Sequence, residues 1–301
     1  MKQKVIIITG FTGSGKSGLA VKLAREYNGE IVSCDSVQIY RDLDIGSAKE
    51  DKETMAEIPH HLIDIKNFDE AYNVGEFIED CQNAVNNILS HGKLPIIVGG
   101  TGLYVKALMQ GYSLGENKAD LEYRAKLEEI AKNKGPNHIW DMLNELNPEK
   151  AKTVHPNNLK RVIRYIELEK NGVVHQNQES FLKDFDVFAI GIVGDREVVY
   201  EKINKRVDIM LSMGLENEVK TLIEKGATRE TQSTNSIGYK EWFDYFDGKQ
   251  TKERTIELIK QHTRNYCKRQ LTFMKTMPDL NLLTLPEAEQ KLKEFLDDNN
   301  K

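Results

Sequence analysis

Disulfide bonds have little to work with in this sequence. Its 301 residues hold three cysteines, Cys34, Cys81 and Cys267, odd in number, far apart and without a Cys-x-x-Cys pair. That excludes a disulfide framework or a zinc ribbon and fits a reducing compartment. Long apolar runs are also missing. The chain opens Met-Lys-Gln-Lys and is then apolar only from Val5 to Ile8, too short for the core of a secretion signal. No stretch approaches a membrane span, so the cytoplasm is the expected location. A basic excess is absent as well: 42 Lys and Arg stand against 47 Asp and Glu, a formal net charge of −5. Any nucleic-acid surface must therefore be local. Internal repeats and low-complexity segments are not found. His60 and His61 make no metal pair, because neighbouring residues of a strand point to opposite faces. What is left, 39% hydrophobic and 30% charged, is the composition of an ordinary globular chain with room for one large domain or two smaller ones.

Against that background one stretch stands out. Val5 to Thr9 reads as a strand, Gly10-Phe11-Thr12-Gly13-Ser14-Gly15-Lys16-Ser17 follows, and Gly18 to Tyr27 reads as a helix. The spacing is that of the phosphate-binding loop, G-x-x-x-x-G-K-[ST]. Its glycines allow positive φ and close backbone approach, so several N–H groups converge on one anion at a helix N-terminus. Lys16 adds a cation, and the Ser17 hydroxyl is a candidate Mg²⁺ ligand. Gly10, Thr12, Gly13, Ser14, Gly15, Lys16 and Ser17 are thus expected to bind a di- or triphosphate.

The rest of the chain supplies a parallel sheet. Strands are expected at Glu30–Cys34, His60–Ile65, Leu94–Gly99 and Phe185–Val193, with a helix over Val74–Ser90 whose apolar residues recur at helical spacing. Alternation of this kind implies a doubly wound α/β sheet. From Asp120 to Lys170 the pattern is helical and charged, broken at Gly135-Pro136, Asn147-Pro148 and His155-Pro156. The reading is therefore an α/β core from residues 1–112 and 185–301, interrupted by an all-helical insertion over residues 113–184.

Several residues then compete for chemistry. Asp35, at a strand end, is a general base, a metal ligand or a plain cap. Ser36, Gln38 and Tyr40 beside it bring donors and acceptors to one strand tip, suited to a flat polar base. Thr101 sits in the second glycine turn, where it either contacts substrate or only shapes the turn. A small-molecule kinase is the first thought for such a loop, but the strand Ile96-Ile97-Val98 ends in Gly99-Gly100-Thr101 rather than in the Mg²⁺-binding Asp such enzymes place there. Asp64 is the alternative for that role. Two basic patches add to the picture. Lys160 and Arg161 lie four and three residues before Arg164 on one helix, and Lys260, Arg264, Lys268 and Arg269 form a stripe with Tyr266 and Phe273 interleaved. Each is either a solvated face or a dock for phosphate backbones. Arg206 is a further cation, free for a ligand or paired with Glu201 or Asp208.

Taken in order, the motifs resemble the bacterial tRNA dimethylallyltransferases. The resemblance runs through Gly10 to Ser17, Asp35-Ser36-Val37-Gln38-Ile39-Tyr40-Arg41, Asp44-Ile45-Gly46-Ser47-Ala48-Lys49 and Pro59 to Asp64. It continues through Gly99 to Tyr104, Asn158 to Arg164, Arg206 to Met210, Ile237-Gly238-Tyr239-Lys240-Glu241 and Lys268-Arg269-Gln270, and so spans roughly residues 4 to 275. It implies a fold like that of the phosphate-loop NTPases and transfer of a dimethylallyl group from its diphosphate to N6 of adenosine 37, in tRNAs reading codons that begin with U. By the same resemblance the loop and Arg206 hold the diphosphate with Mg²⁺, Asp35 takes the proton of the adenine amine, and Thr101 positions that amine. The tRNA would meet Asp35, Ser36, Val37, Gln38, Thr101, Arg124 and Lys160-Arg161-Val162-Ile163-Arg164. Nothing in the motifs asks for more than a monomer. Departures are Phe11 where the family usually has Pro, Gly13 where Ala is common, and Asn158 where Asp is usual. An isopentenyltransferase acting on free adenine nucleotides shares the fold, but the basic insertion speaks against it.

Overall fold

In the computed structural model, which describes residues 2–111, 120–171 and 179–298, six strands among the described residues form one fully parallel sheet in the order β3-β2-β4-β1-β5-β6. They are β1 (Lys4–Gly10), β2 (Gly29–Ser33), β3 (His60–His61), β4 (Leu94–Gly99), β5 (Asp186–Ile192) and β6 (Asn281–Leu283). The central strands are apolar on both faces because both are covered. Val5 and Ile7 join one buried cluster with Val32 and Ile97, while Ile6 and Ile8 join the other with Ile31 and Ile96. Register follows from that alternation, with Ile7 opposite Ile97 and Ala189.

Helices link the strands: α1 (Lys16–Glu26), α2 (Lys52–Glu57), α3 (Val74–Ser90) and α4 (Gly102–Gln110) in the first part of the core. The insertion holds α5 (Leu121–Lys134), α6 (Pro136–Leu146), α7 (Pro148–Lys152) and α8 (Leu159–Lys170). The core resumes with α9 (Arg196–Met213), α10 (Leu215–Glu224), α11 (Trp242–Phe246), α12 (Lys252–Met274) and α13 (Leu285–Asp297). None of them is long and apolar enough to cross a membrane.

The chain divides into two compact units, 1–111 with 179–301, and 112–178. The return to the core therefore comes at residue 179, not 185. The Ser180 hydroxyl bonds the Leu108 carbonyl, and the turn Phe181–Asp184 buries Leu182 in the core. The helical unit folds around Leu127, Ile139, Leu143, Val162, Ile163 and Ile166. Its breaks fall where the sequence puts Gly and Pro: Gly135 ends α5 at φ 86° and Pro136 starts α6, and the Asn147 side chain caps α7 through the Lys150 N–H.

One expected strand is corrected. His60–Ile65 stops pairing after His61, because Leu62 and Asp64 take positive φ values of 62° and 57°. Asp64 is thereby turned onto Lys49 (2.5 Å), which also holds Asp44 and the Tyr40 carbonyl. A carboxylate so engaged is not the metal ligand of a kinase.

Candidate active site

The site lies at the carboxyl ends of β1, β2 and β4, where an open α/β sheet leaves its crevice. β1 runs into the glycine loop, in which Gly13 and Gly15 take φ values of 84° and 89° that a side chain would strain. The loop is closed by the Ser14 N–H on the Phe11 carbonyl (3.1 Å), and Phe11 itself is buried. α1 begins at Lys16 and points its N-terminus into the crevice. The Gly10, Thr12 and Ser17 positions fall in this same loop, and the Ser14 hydroxyl is buried without a partner among the described residues.

β4 lies directly beside β1, where a kinase would carry its metal-binding Asp, and the reason for its absence is steric. A Cβ on Gly99 would fall 2.0 Å from the Cys34 carbonyl oxygen. The close approach brings the β2 tip and the β4 tip together: the Thr101 N–H donates to the Cys34 carbonyl (3.3 Å), and the Thr101 hydroxyl accepts the Ser36 N–H (3.0 Å) and donates to the Ser36 hydroxyl (3.3 Å). Thr101 therefore braces Ser36. Asp35 turns the chain with one oxygen only, Oδ1 accepting from the Val37 (2.9 Å) and Gln38 (3.4 Å) N–H groups. The cap leaves one oxygen over: Oδ2 takes no hydrogen bond among the described residues.

These groups line a cavity of about 390 Å³ that holds Thr12, Lys16, Ser17, Asp35, Ser36, Val37, Gln38, Thr101 and Arg206. Its two central cations are desolvated. Burial, with the charge of Arg206, pushes the Lys16 ammonium down to about 8, while Asp35 and Glu50 pull it back up. Burial also lowers Arg206, against the same two carboxylates. Neither cation makes an ion pair among the described residues. Lys16 reaches only the Phe11 carbonyl, at 3.5 Å, and Asp208, a suggested partner of Arg206, binds Lys260 instead (2.6 Å). Desolvated cations converging on backbone N–H groups make an anion site.

The α12 stripe divides differently from its basic composition. Lys260 goes to Asp208, and Arg264 bonds Asn204 on α9 (2.6 Å), so both serve helix packing. Its inner face carries what charge patterning did not single out. The buried Gln270 amide accepts the Thr12 N–H (3.3 Å) and donates to the Gly100 carbonyl (2.8 Å), tying the phosphate loop to the second glycine turn. Tyr266 and Arg269 line the cavity, as do Glu50, Ser236 and Gly238. Gln270 sits four residues after Tyr266, one helical turn along the same face, the available signal for it.

In the helical unit the basic residues have two fates. The Glu167 carboxylate is buried and accepts from Arg124 (2.7 Å), Arg164 (2.5 Å) and the Asp120 N–H (2.7 Å). Burial alone would raise its carboxyl, but the two guanidiniums hold it below the ordinary range. Lys160 and Arg161 are exposed, Arg161 bonding the Tyr165 hydroxyl. Val162 and Ile163 are 0% and 2% exposed, so their side chains belong to the unit's core, not to a binding face. Asn158 caps α8 with its carbonyl alone.

Known proteins resemble this chain over nearly its whole length. Residues 38–277 match the family described as IPP transferase. A "tRNA dimethylallyltransferase" of Bacillus anthracis is 42% identical over 294 residues, covering 96% of this chain and 93% of the relative. The solved tRNA isopentenylpyrophosphate transferase of Bacillus halodurans is 38% identical at a TM-score of 0.73, covering 99% of this chain and 96% of that one. A eukaryotic dimethylallyltransferase captured acting on tRNA is 30% identical at a TM-score of 0.81, covering 98% and 79%.

Proposed function

The chain belongs to the IPP transferase family, and from that membership we propose how its cavity prenylates tRNA. The protein transfers a dimethylallyl group to a tRNA adenosine, with dimethylallyl diphosphate as donor and N6 of adenosine 37 as acceptor. The observation that carries the reading is the pair of desolvated, unpaired cations, Lys16 and Arg206, facing Asp35 across one cavity.

The N6 lone pair attacks the allylic carbon, the carbon–oxygen bond breaks, and its electrons leave on the diphosphate. Charge develops on the leaving oxygens, and the loop N–H groups with Lys16 and Arg206, which line the cavity, would stabilise it. The N6 proton passes to Asp35 Oδ2, while Oδ1 keeps the Val37 N–H and so keeps the carboxylate in place. Thr101 holds the Ser36 backbone beside it. Gln38 has both ends of its amide engaged, by the Ser33 hydroxyl and by the Ser47 and Ala48 carbonyls, so it shapes the wall beside the base.

Mg²⁺ fits this donor set. No group of three or more His, Cys, Asp or Glu residues is placed to hold a metal among the described residues. Ser17 lines the cavity, and one protein oxygen plus substrate phosphates and water is how Mg²⁺ is commonly bound. When bound, the ion would offset charge on the diphosphate. On the helical unit, Lys160 and Arg161 are the exposed cations for the tRNA backbone, with Arg124 and Arg164 anchored beneath by Glu167.

Labelled dimethylallyl diphosphate incubated with protein, Mg²⁺ and unmodified tRNA should leave label at the adenosine after the anticodon. Label in AMP, ADP or ATP instead would move the chain to the nucleotide-acceptor branch, and ATP consumption without prenyl transfer would make it a kinase.

A further inference from the structure

Three consecutive backbone N–H groups turn onto one carboxylate far from them in sequence. Glu218 Oε2 accepts from Asp44 (3.0 Å) and Ile45 (2.7 Å), and Oε1 accepts from Gly46 (3.0 Å). Such a nest is an anion site, and here α10 of the same chain fills it. Tyr239 completes the grip. Its hydroxyl donates to Glu218 Oε1 (2.7 Å) and accepts the Ser47 N–H (3.2 Å). Its ring lies so near Gly46 that a Cβ there would come within 2.5 Å of it.

Neither Glu218 nor Tyr239 lines the cavity, whereas Gly46, Ser47 and Ala48 do. The carbonyls of Ser47 and Ala48 accept the Gln38 amide N–H groups (3.3 and 3.2 Å), and the Ser33 hydroxyl takes the other end of that amide (2.8 Å). Gln38 in turn donates its backbone N–H to Asp35. A continuous chain of bonds therefore runs from α10 to the carboxylate that receives the proton. No bond of this network reaches loop residues 10–17 among the described residues.

We propose that Glu218 and Tyr239 are positioning residues for the acceptor base: they lock the 44–48 turn, which sets Gln38 and the cavity wall beside Asp35. The proposal rests on the tRNA-prenylation reading above. It predicts an asymmetry, because the clamp touches the acceptor side and leaves the diphosphate side alone.

Tyr239→Phe keeps the ring against Gly46 and removes both hydroxyl bonds. Its turnover on tRNA should fall about tenfold to a hundredfold, as for a site displaced by a fraction of an ångström to 1 Å. Calorimetric affinity for inorganic diphosphate should stay at the wild-type value, and the thermal midpoint should fall by only a few degrees. Glu218→Gln should lose more turnover than Tyr239→Phe, since an amide NH₂ would face the Asp44, Ile45 and Gly46 N–H donors, with diphosphate affinity again unchanged. Tyr245→Phe removes a comparable bond to α10, from Tyr245 to Glu216 (3.0 Å), and should behave as wild type. Wild-type turnover in Tyr239→Phe would overturn the proposal. So would parallel losses of diphosphate affinity and thermal stability, which mark a general brace. If Glu218→Gln fails to fold, Tyr239→Phe decides alone. Wild-type protein that leaves tRNA unlabelled would overturn the function reading itself, and with it the acceptor named here.

Discussion

The cations of the core and those of the helical unit obey opposite rules. In the core, Lys16 and Arg206 are desolvated and make no ion pair among the described residues, so each carries a standing electrostatic penalty. In the helical unit, Arg124 and Arg164 share the buried Glu167, and Lys160 and Arg161 lie in solvent. A penalty left unrelieved marks where an anion is to be bound tightly and its charge stabilised during reaction. Cations that are paired or hydrated suit the weak, additive contacts of a nucleic-acid backbone. On the function proposed above, chemistry would fall to the core and grip to the helical unit, by the state of their charges more than by their number.

Breaking that division should give effects of graded size. The largest is at Asp35. Asp35→Asn preserves the Oδ1 acceptor for Val37 and Gln38 but cannot take a proton, so turnover should drop by about 10²–10⁴-fold in single-turnover assays while tRNA affinity holds. A loss of only a few fold would remove it as general base. Next comes Glu167→Gln, which leaves two guanidiniums facing a neutral amide. It should destabilise the helical unit by roughly 1–3 kcal/mol in chemical denaturation, and an unchanged midpoint would mean the arginines are held by other contacts. The smallest effect sharpens the comparison: Lys160→Ala with Arg161→Ala should reduce the log–log salt slope of tRNA binding by roughly 1–2, with turnover at saturating tRNA retained. An unaltered slope would return those side chains to a simple solvated face.

Much of the fold was legible because its signals are local. The glycine loop, the apolar strands and the Gly-Pro and Asn-Pro breaks each lie within a few residues, and the structure places them within a residue or two of expectation. Asp35 was legible as a strand-tip residue for the same reason, though its double use as cap and free carboxylate needed coordinates. The expected strand after His61 failed because alternation in Leu62-Ile63-Asp64 does not reveal positive φ at Leu62 and Asp64. Within the Lys160–Arg164 stretch the helix turns the Val162 and Ile163 side chains inward while Lys160 and Arg161 face out, a split that the motif alone does not show. Glu218 was missed, and Gln270 was named in a motif but given no role, for a third reason. Each bonds backbone groups about 170 to 260 residues away, and no periodicity encodes a contact of that range.

Lys16 is a desolvated cation without an ion-pair partner among the described residues, poised for an anion. Its ammonium titrates at about 8, below the ordinary lysine range, and a bound diphosphate should pull that value back up. The free ammonium is half charged near pH 8 and close to fully charged only a unit or more below it, so affinity is lost as pH rises through that value. Calorimetry of inorganic diphosphate binding from pH 7 to 9.5, in buffers of different ionisation enthalpy, tests this. The prediction is falling affinity and growing proton uptake above about pH 8 in the wild type, with that proton uptake absent from Lys16→Ala. Equal affinities for the two proteins, with no difference in proton uptake, would contradict it.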